Sequence, residues 1–296
     1  MKDLDREGSV LLPDGSLMPK LGQGTWQMGE DDLKIEKETE GLRHGIDLGI
    51  RMIDTAEMYA DGKAENIVGR AISGLRRDSL FLVSKVYPHN ADRHHIYSSL
   101  ERSLKLMETD YLDMYLLHWR GGADLSETVY CMEDLKSRGL IRRWGVSNFD
   151  VDDMEDLWKV PDGRKCSVNQ VLYNLGSRGI EYDLIPWQRE KGIPFMAYGP
   201  VGQAGDLVTQ DGVSKAELMT DENVVKAAEK HGVSVVQLLL AFVMRFEDMA
   251  AIPKAVGFNH IEENAAAAGI NLTEEDIELL SQSFPAPETK IPMEKY

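Results

Sequence analysis

The feature that most constrains the fold is a series of short apolar runs, most of them about 30 residues apart, the length of one strand plus one helix. Near-continuous apolar runs of this length are typical of strands that are buried on both faces, as in a parallel sheet. We count eight such runs, near 20–25 and at 51–56, 80–86, 111–119, 142–148, 166–174, 193–198 and 249–254.

Amphipathic segments separate these runs. Ile96, Leu100, Leu104 and Met107 are spaced by three or four residues and therefore share one helical face. Similar stripes predict helices at 35–49, 64–73, 222–231 and 234–246. Eight strands alternating with helices predict a (β/α)8 TIM barrel, and we expect residues 1–296 to form a single domain, since α/β barrels often exceed the usual domain length.

Three segments lie outside this alternation. Two short apolar runs flank Asp14 and Gly15, which predicts an N-terminal β-hairpin that plugs the bottom of the barrel. Segment 199–220 is rich in glycine and polar residues and predicts a long loop. The Pro-rich, aperiodic segment 283–296 predicts a C-terminal loop. Just before it, Thr273 with Asp276 three residues later predicts a helix N-cap.

The charge balance excludes several partners. The chain carries 50 Asp and Glu against 33 Lys and Arg, a net charge of −17. Binding to nucleic acids and to anionic lipid relies on Lys and Arg, so we expect neither partner. No apolar run approaches the roughly 18–20 residues of a membrane helix, and the N-terminus lacks the apolar segment of a signal peptide. Two cysteines without a CxxC motif suit a reducing compartment, and we expect a cytoplasmic protein.

Polar residues end successive strand-like runs. Asp54, Lys85, His118 and Asn148 do so at intervals of about 30 residues. Three further strand-end residues are Gln170, Tyr198 and Lys254. Because the carboxyl ends of all strands in a barrel face one mouth, we expect these side chains to lie together although they are distant in sequence.

Four residues at this mouth form a plausible acid catalyst: Asp54, Tyr59, Lys85 and His118. A free tyrosine has a pKa near 10 and is a slow acid at neutral pH. We expect the Lys85 ammonium to stabilise the phenolate and lower the pKa of Tyr59, with Asp54 fixing the lysine. Tyr59 would then donate a proton while His118 hydrogen-bonds the reacting oxygen. Each residue alone is more often structural, and the combination carries the interpretation.

The segments around these positions resemble the motifs of aldo-keto reductases, and the similarity covers nearly the whole chain. The matching segments are GQGTW (22–26), DTAEMY (54–59), LVSK (82–85), LLHW (116–119), GVSNF (145–149) and IPK (252–254). The sequence looks closest to bacterial members that reduce methylglyoxal and related small aldehydes. The resemblance implies that Tyr59 is the general acid, that Lys85 and Asp54 tune it, and that His118 orients the carbonyl.

The resemblance also implies a nicotinamide cofactor bound across the barrel mouth. Ser147, Asn148 and Gln170 would hold the carboxamide, and Tyr198 would stack on the ring. The other cofactor residues that it implies are Thr25, Trp26, Gly199, Lys254, His260, Glu263 and Asn264. Gly22 and Gly24 begin like a dinucleotide fingerprint, but the third glycine is missing and no helix follows at once, so this is not a Rossmann motif.

The chain departs from the family pattern at the nucleotide end. The family's NADP signature is typically Lys-Ser followed five residues later by Arg, whereas these positions are Lys254, Ala255 and His260. An imidazole is mostly neutral above about pH 6.5 and lacks the bidentate fork of arginine. We still expect NADPH, because Lys254 remains and no acidic residue has replaced the lost groups. Discrimination against NADH should be reduced.

The substrate pocket implied by the resemblance has an apolar, aromatic wall of Trp26, Met58, Tyr87 and Trp119. The short tail favours a small, permissive pocket for short aldehydes. No carboxylate or thiolate completes a convincing set of metal ligands with His89, His94 and His95, and we expect no metal site.

The leading hypothesis is therefore an NADPH-dependent reductase of small carbonyl compounds that is monomeric, the family's common state. One alternative is a non-catalytic, NADP(H)-binding regulatory relative of the same fold. Another is an unrelated barrel enzyme acting on a phosphorylated substrate, since function depends on the site and not on the fold.

Overall fold

The computed structural model describes residues 8–202 and 213–293. Its eight-stranded parallel sheet follows the chain order, with each strand paired to the next. The strands are numbered after two hairpin strands, β1 (Ser9–Leu11) and β2 (Leu17–Pro19). The strands of the parallel sheet are β3 (Gly22–Gly24), β4 (Met52–Asp54), β5 (Phe81–Val86), β6 (Met114–Leu117), β7 (Trp144–Ser147), β8 (Asn169–Leu172), β9 (Phe195–Tyr198) and β10 (Met249–Ala251). At the seam between β10 and β3, the Ala251 amide donates to the Lys20 carbonyl (2.8 Å) and the Gly24 amide to the Pro253 carbonyl (3.0 Å). The predicted (β/α)8 barrel is confirmed.

Helices surround the sheet. The α-helices in the described residues are α1 (Ile35–Asp47), α2 (Lys63–Ile72), α3 (Ile96–Leu106), α4 (Leu125–Ser137), α5 (Val151–Lys159), α6 (Leu184–Lys191), α7 (Lys215–Thr220), α8 (Glu222–His231), α9 (Val235–Met244), α10 (Phe258–Ala266) and α11 (Glu274–Ser283). Short 3₁₀ helices lie at Asp32–Lys34, Tyr59–Gly62, Arg77–Ser79, Pro88–Asn90, Gly163–Lys165, Gly179–Glu181 and Ala267–Gly269. No single helix in these ranges is long and apolar enough to cross a membrane; α8 and α9 pass that test only as a pair bent by 88°.

A β-hairpin closes the end of the barrel where the strands begin. Strand β1 (Ser9–Leu11) pairs antiparallel with β2 (Leu17–Pro19), and Gly15 in the turn has φ +80°. Val10 and Met18 of the hairpin are fully buried in one apolar cluster with Phe81 and Met114, the first residues of β5 and β6. The predicted hairpin and its position at the barrel bottom are confirmed.

Helix α11 begins at a buried carboxylate. Thr273 and Asp276 form the capping box that the sequence predicted. Asp276 also accepts hydrogen bonds from Lys230 Nζ and His231 Nε2, both at 2.8 Å. Burial alone would raise the pKa of Asp276, but the bonds from Lys230, Thr273 and His231 outweigh it and hold the pKa well below its usual range. The carboxylate therefore joins α8 to α11.

The long loop expected at 199–220 is wrong in its last part. Residues 203–212 lie outside the described residues, but Lys215–Thr220 forms a helix. This helix begins at a second capping box. Ser214 Oγ accepts a hydrogen bond from the Glu217 amide, and Glu217 Oε2 accepts one from the Ser214 amide at 2.7 Å. The Ser-x-x-Glu pattern was present in the sequence and outweighs the loop-like composition around it.

The C-terminal segment after α11 has no regular structure over 284–293, as predicted. Lys290 forms ion pairs with Asp150 (3.3 Å) and Asp183 (2.9 Å), which precede α5 and α6. These two aspartates follow β7 and β8, so the tail crosses the face of the barrel at which the strands end.

Candidate active site

Polar side chains from neighbouring strands meet at the carboxyl end of the barrel. Asp54 is the last residue of β4, Lys85 lies near the end of β5, and His118 follows β6 directly. Tyr59 begins the 3₁₀ turn that follows β4. Asp54, Lys85 and His118 are buried, while Tyr59 is partly exposed to the cavity above them. The fold thus brings together the four residues that the sequence analysis identified as a candidate acid catalyst.

Lys85 is the centre of a hydrogen-bond network. Its Nζ donates to Asp54 Oδ2 (2.6 Å), to the Thr55 carbonyl (2.8 Å) and to Tyr59 Oη (3.3 Å). The other oxygen of Asp54 accepts from Gln170 Nε2 at 2.7 Å. All three N–H groups of the ammonium therefore have an acceptor, and one of them donates to the phenol oxygen of Tyr59.

The Asp54–Lys85 ion pair opposes a strong desolvation penalty. Burial raises the pKa of Asp54, and the lysine and Gln170 offset only part of this rise. Burial likewise lowers the pKa of Lys85, against the stabilising charge of Asp54. Ion pairs of this kind contribute little net stability, because the attraction repays the loss of hydration only in part.

The expectation that the site lowers the pKa of Tyr59 is wrong for the structure described. Burial, followed by the negative charge of Asp54, raises the pKa of Tyr59 well above its ordinary value. The hydrogen bond from Lys85 is present, but it does not outweigh these two effects. The phenol is therefore fully protonated at neutral pH, which is the state that a proton donor needs before it reacts.

His118 faces Tyr59 across the cavity floor. The two rings meet edge to face, with centroids 5.7 Å apart. Burial and the nearby Lys85 charge lower the pKa of His118 well below its ordinary value, so the imidazole is neutral. Its Nδ1 is buried and has no hydrogen-bond partner among the described residues. A neutral imidazole can still donate one N–H to a ligand.

The turn that carries Tyr59 is strained and tied down. Ala60 and Asp61 have left-handed φ values of 49° and 53°, which cost on the order of 1 kcal/mol or more each outside glycine. Arg102 of α3 holds the turn by donating to the Asp61 carbonyl (2.7 Å) and to Oδ1 of its side chain (2.9 Å). Sequence reasoning missed Asp61 and Arg102, because nothing local marks a contact between an exposed loop and a later helix.

Glu57 ties the turn to the next strand. Its Oε1 accepts from the Tyr87 amide (2.7 Å) and from Asn90 Nδ2 (3.1 Å). The loops that follow β4 and β5 are thereby locked together. Sequence reasoning also missed Glu57, which is buried and lies within the segment DTAEMY.

A cavity opens above these groups. The residues predicted from sequence that line it are Thr25, Trp26, Asp54, Met58, Tyr59, His118, Ser147, Asn148, Gln170, Tyr198, Gly199 and Lys254. Sequence reasoning missed eight lining residues: Gly24, Gln27, Pro200, Val201, Gly202, Lys215, Ile252 and Pro253. Most of these are neighbours of predicted positions, but Lys215 lies in none of the segments that resemble the family's motifs.

Amide and hydroxyl groups on one wall of the cavity are interlocked. Asn148 has a left-handed φ of 58°, and its Nδ2 donates to the His118 carbonyl (3.1 Å) and to Ser147 Oγ (3.2 Å). Tyr198 Oη donates to Asn148 Oδ1 at 2.8 Å, and Ser147 Oγ donates to the Gln170 carbonyl at 2.9 Å. The wall therefore has a fixed geometry before any ligand binds.

Two of the predicted pocket residues stand behind the cavity lining. Trp119 packs against His118 with ring centroids 5.1 Å apart. Tyr87 meets Trp119 edge to face at 5.7 Å and stacks on His89 at 4.6 Å. Neither Tyr87 nor Trp119 lines the cavity in the described residues, so their effect on a ligand passes through His118 or through movement of their own rings.

Three of the predicted cofactor residues lie on α10 and do not line the cavity. They are His260, Glu263 and Asn264. His260 is exposed, with Nδ1 3.5 Å from Glu263 Oε2, and Asn264 is buried. Lys254, which follows β10, is exposed at the cavity rim. Among the described residues, no three His, Cys, Asp or Glu side chains converge as metal ligands.

Comparisons with known proteins agree with this architecture. The model of the Aldo/keto reductase family matches residues 20–283. Methylglyoxal reductase YeaE of Escherichia coli (strain K12) is 49% identical over 92% of this chain and 93% of its own. Glyoxal reductase of Bacillus subtilis (strain 168) is 33% identical over 91% of this chain and 90% of its own.

Solved structures show the same similarity. The crystal structure of an aldo/keto reductase from Klebsiella pneumoniae in complex with NADP and acetate has a TM-score of 0.92 at 48% identity and covers 98% of this chain and 99% of its own. A second structure from that organism, in complex with NADPH, has a TM-score of 0.91 at 48% identity and covers 97% and 99%. Since the family model matches most of the chain, the protein is a member of the aldo/keto reductase family.

Proposed function

We propose that the protein reduces small aldehydes and ketones, methylglyoxal among them, to alcohols with NADPH as the electron donor, and that Tyr59 donates the proton. The observation that carries this proposal is the buried Asp54–Lys85–Tyr59 hydrogen-bond chain that ends in the cavity beside a neutral His118. The relatives named for methylglyoxal and glyoxal reduction support the substrate class.

Tyr59 starts as a protonated phenol and gives up its proton only when an acceptor becomes basic. A carbonyl oxygen becomes a strong base as its carbon is reduced, and it then draws the proton from Tyr59 Oη. The Lys85 ammonium, 3.3 Å from that oxygen, stabilises the phenolate that is left. The raised pKa of Tyr59 therefore keeps the phenol protonated before the reaction, and Lys85 lowers the free-energy cost of transferring the proton to the substrate.

His118 orients the carbonyl. It lines the cavity beside Tyr59 and, because its pKa is lowered, it is neutral and presents one N–H donor without a competing positive charge. A carbonyl oxygen that accepts hydrogen bonds from both His118 and Tyr59 is polarised from two directions. This arrangement stabilises the charge that develops on the oxygen during reduction.

The donor set of the cavity fits NADP(H). When bound, NADPH supplies the two electrons and one hydrogen of a carbonyl reduction. Ser147, Asn148 and Gln170 provide the hydroxyl and amide groups that a carboxamide requires, and the half-buried Tyr198 provides an aromatic face. Lys254 at the rim provides a cation for a phosphate group. His260, Glu263 and Asn264 on α10 would contact the adenosine end.

The decisive test replaces Tyr59 with phenylalanine. We expect Tyr59→Phe to lower kcat for methylglyoxal reduction by about 10²–10⁴, the usual contribution of a general acid, and to leave the Kd of NADPH unchanged. Tyr115→Phe is the matched control: the Tyr115 hydroxyl is buried outside the cavity and has no partner in the described part of the chain, so its loss should leave kcat intact.

The wild-type enzyme is first assayed for oxidation of NADPH and NADH with methylglyoxal, an aromatic aldehyde and an aldose. Turnover that is fastest with the short aldehyde supports the proposed substrate class. A Tyr59→Phe enzyme that retains wild-type kcat would show that another group donates the proton. NADPH binding without turnover of any carbonyl would instead favour the regulatory relative.

A further inference from the structure

We propose that Lys215 binds the diphosphate bridge of NADP(H), as a second cationic contact separate from Lys254. This inference rests on the proposed function, because it concerns the same cofactor in the same cavity. Lys215 is the first residue of α7 and lines the cavity together with the catalytic groups. Nothing in its sequence surroundings marks it as a ligand-binding residue.

The charge distribution points to an anion at this position. The chain has a net charge of −17, yet no described carboxylate forms an ion pair with Lys215 or Lys254. Asp54 is the only carboxylate among the described lining residues, and its charge is paired with Lys85. Two cations in one cavity that have no carboxylate partner in the described ranges attract an anionic ligand selectively, since the low-dielectric walls focus their field.

Lys215 is also partly withdrawn from water. Burial lowers the pKa of its ammonium, and no described neighbouring charge acts on it in either direction. Holding a half-buried cation without a partner costs free energy, and a bound phosphate group would repay that cost by a charge-assisted hydrogen bond. Most other lysines and arginines with limited exposure in the described ranges, such as Arg178, already have carboxylate partners.

The position of Lys215 selects the diphosphate over the 2′-phosphate. A Cβ built on Gly202 would lie 3.3 Å from the Lys215 Cα, so the start of α7 packs against the segment that follows β9. Gly199 belongs to the same segment, and the resemblance to aldo-keto reductases implies that its backbone N–H lies near the pyrophosphate. Lys254 lies on a different segment, after β10, and the resemblance to aldo-keto reductases implies that it holds the 2′-phosphate.

The test measures nucleotide binding and does not depend on turnover. Dissociation constants of NADPH and NADH are determined by quenching of tryptophan fluorescence for the wild type and for Lys215→Met, Lys215→Gln and Lys215→Arg. Lys105→Met is the matched control, since Lys105 is an exposed lysine on α3 with no ion pair to the described residues and lies outside the cavity. Thermal unfolding is compared to establish that each variant is folded.

We expect Lys215→Met and Lys215→Gln to raise the Kd of NADPH and of NADH by about tenfold each, because the diphosphate is common to both. The Kd values of Lys215→Arg should stay near those of the wild type. Added salt should reduce the difference in Kd between the wild type and Lys215→Met. The Lys105→Met enzyme should bind both nucleotides as the wild type does.

Three results would overturn the inference. Wild-type Kd values in Lys215→Met and Lys215→Gln would show that the ammonium contacts no phosphate, while the proposed function would stand. A loss confined to NADPH would place Lys215 at the 2′-phosphate instead of the diphosphate. Wild-type protein that binds neither nucleotide would overturn the proposed function and this inference with it.

Discussion

Replacing Lys85 with methionine tests how far the free energy of unfolding depends on the buried Asp54–Lys85 ion pair. The side chains of Lys85 and Asp54 are 0% and 3% exposed, and their charged atoms are 2.6 Å apart. Lys85→Met removes this partner and leaves Asp54 with the single hydrogen bond from Gln170. Breaking one half of a buried ion pair typically costs about 3–5 kcal/mol, because the remaining charge is left uncompensated.

The same value can be stated as a melting temperature. A chain of 296 residues has an unfolding entropy of about 0.6 kcal/mol/K, so the loss corresponds to a Tm lower by about 5–8 °C at pH 7. Without the lysine, burial raises the folded-state pKa of Asp54 further above its unfolded value of about 3.9. Stability linked to a raised pKa is present below the unfolded pKa and is lost as the pH rises through the folded pKa. The deficit of Lys85→Met should therefore shrink as the pH falls toward about 4.

The assay is thermal denaturation followed by circular dichroism at pH 4, 5.5 and 7. The double variant Asp54→Asn/Lys85→Met removes both charges, and we expect its Tm to lie within about 3 °C of the wild type, since replacing a buried pair by neutral groups is often neutral. Lys105→Met controls for loss of a surface lysine. A Lys85→Met enzyme with the wild-type Tm at pH 7 would refute the reasoning. So would a double variant whose loss of Tm equals the sum of the losses in Asp54→Asn and Lys85→Met measured separately.

Three further predictions follow from other parts of the fold. Asp276→Asn should lower the free energy of unfolding by about 2–3 kcal/mol at pH 7, since Lys230 and His231 lose the charge of a buried acceptor. Because the folded pKa of Asp276 is depressed, its contribution is present above about pH 4 and is lost below it, so the difference should fade in acid denaturation curves. In Gly45→Ala, an ideal Cβ would lie 2.1 Å from Gln23 Oε1, and we expect a loss of about 1–3 kcal/mol in urea unfolding in place of the gain usual for a helical Gly→Ala. Ala255→Ser/His260→Arg should raise the ratio of the NADH to the NADPH dissociation constant at least about tenfold in fluorescence titrations, and an unchanged ratio would contradict the role given to these positions.

The barrel was predictable because one physical signal repeats along the chain. A parallel sheet covered on both faces requires continuous apolar runs, and these end where the backbone reaches the barrel mouth. Asp54, Lys85 and His118 interrupt the apolar pattern at that boundary, so their proximity followed from topology alone. The capping box of α11 was predictable for a different reason, since the Thr273–Asp276 pattern is local.

The properties that sequence did not predict depend on distances between segments. The direction of the Tyr59 pKa follows from a balance among burial, the Asp54 charge and the Lys85 hydrogen bond, and a sequence shows the participants but not the balance. Lys215 reaches the cavity because α7 packs on Gly202, a contact between segments that no local pattern marks. The rings of Tyr87 and Trp119 pack behind His118, and a sequence motif does not show whether a residue lines the cavity or packs behind its lining.

The mouth of the barrel combines several features that lower stability, although left-handed backbone also occurs at Glu108 and Asp162, away from the mouth. The hairpin end is closed by apolar side chains, such as those of Val10, Met18 and Phe81, that gain free energy from burial. The other end contains a buried ion pair, left-handed backbone at Ala60 and Asn148, and a neutral His118 whose Nδ1 has no hydrogen-bond partner in the described part of the chain. Each of these features carries a free-energy cost. We infer that apolar burial throughout the barrel, the hairpin end included, offsets these losses. If so, substitutions at the mouth that relieve them should stabilise the protein and reduce its activity, whereas substitutions at the hairpin end should change stability and leave the kcat of the folded enzyme unchanged.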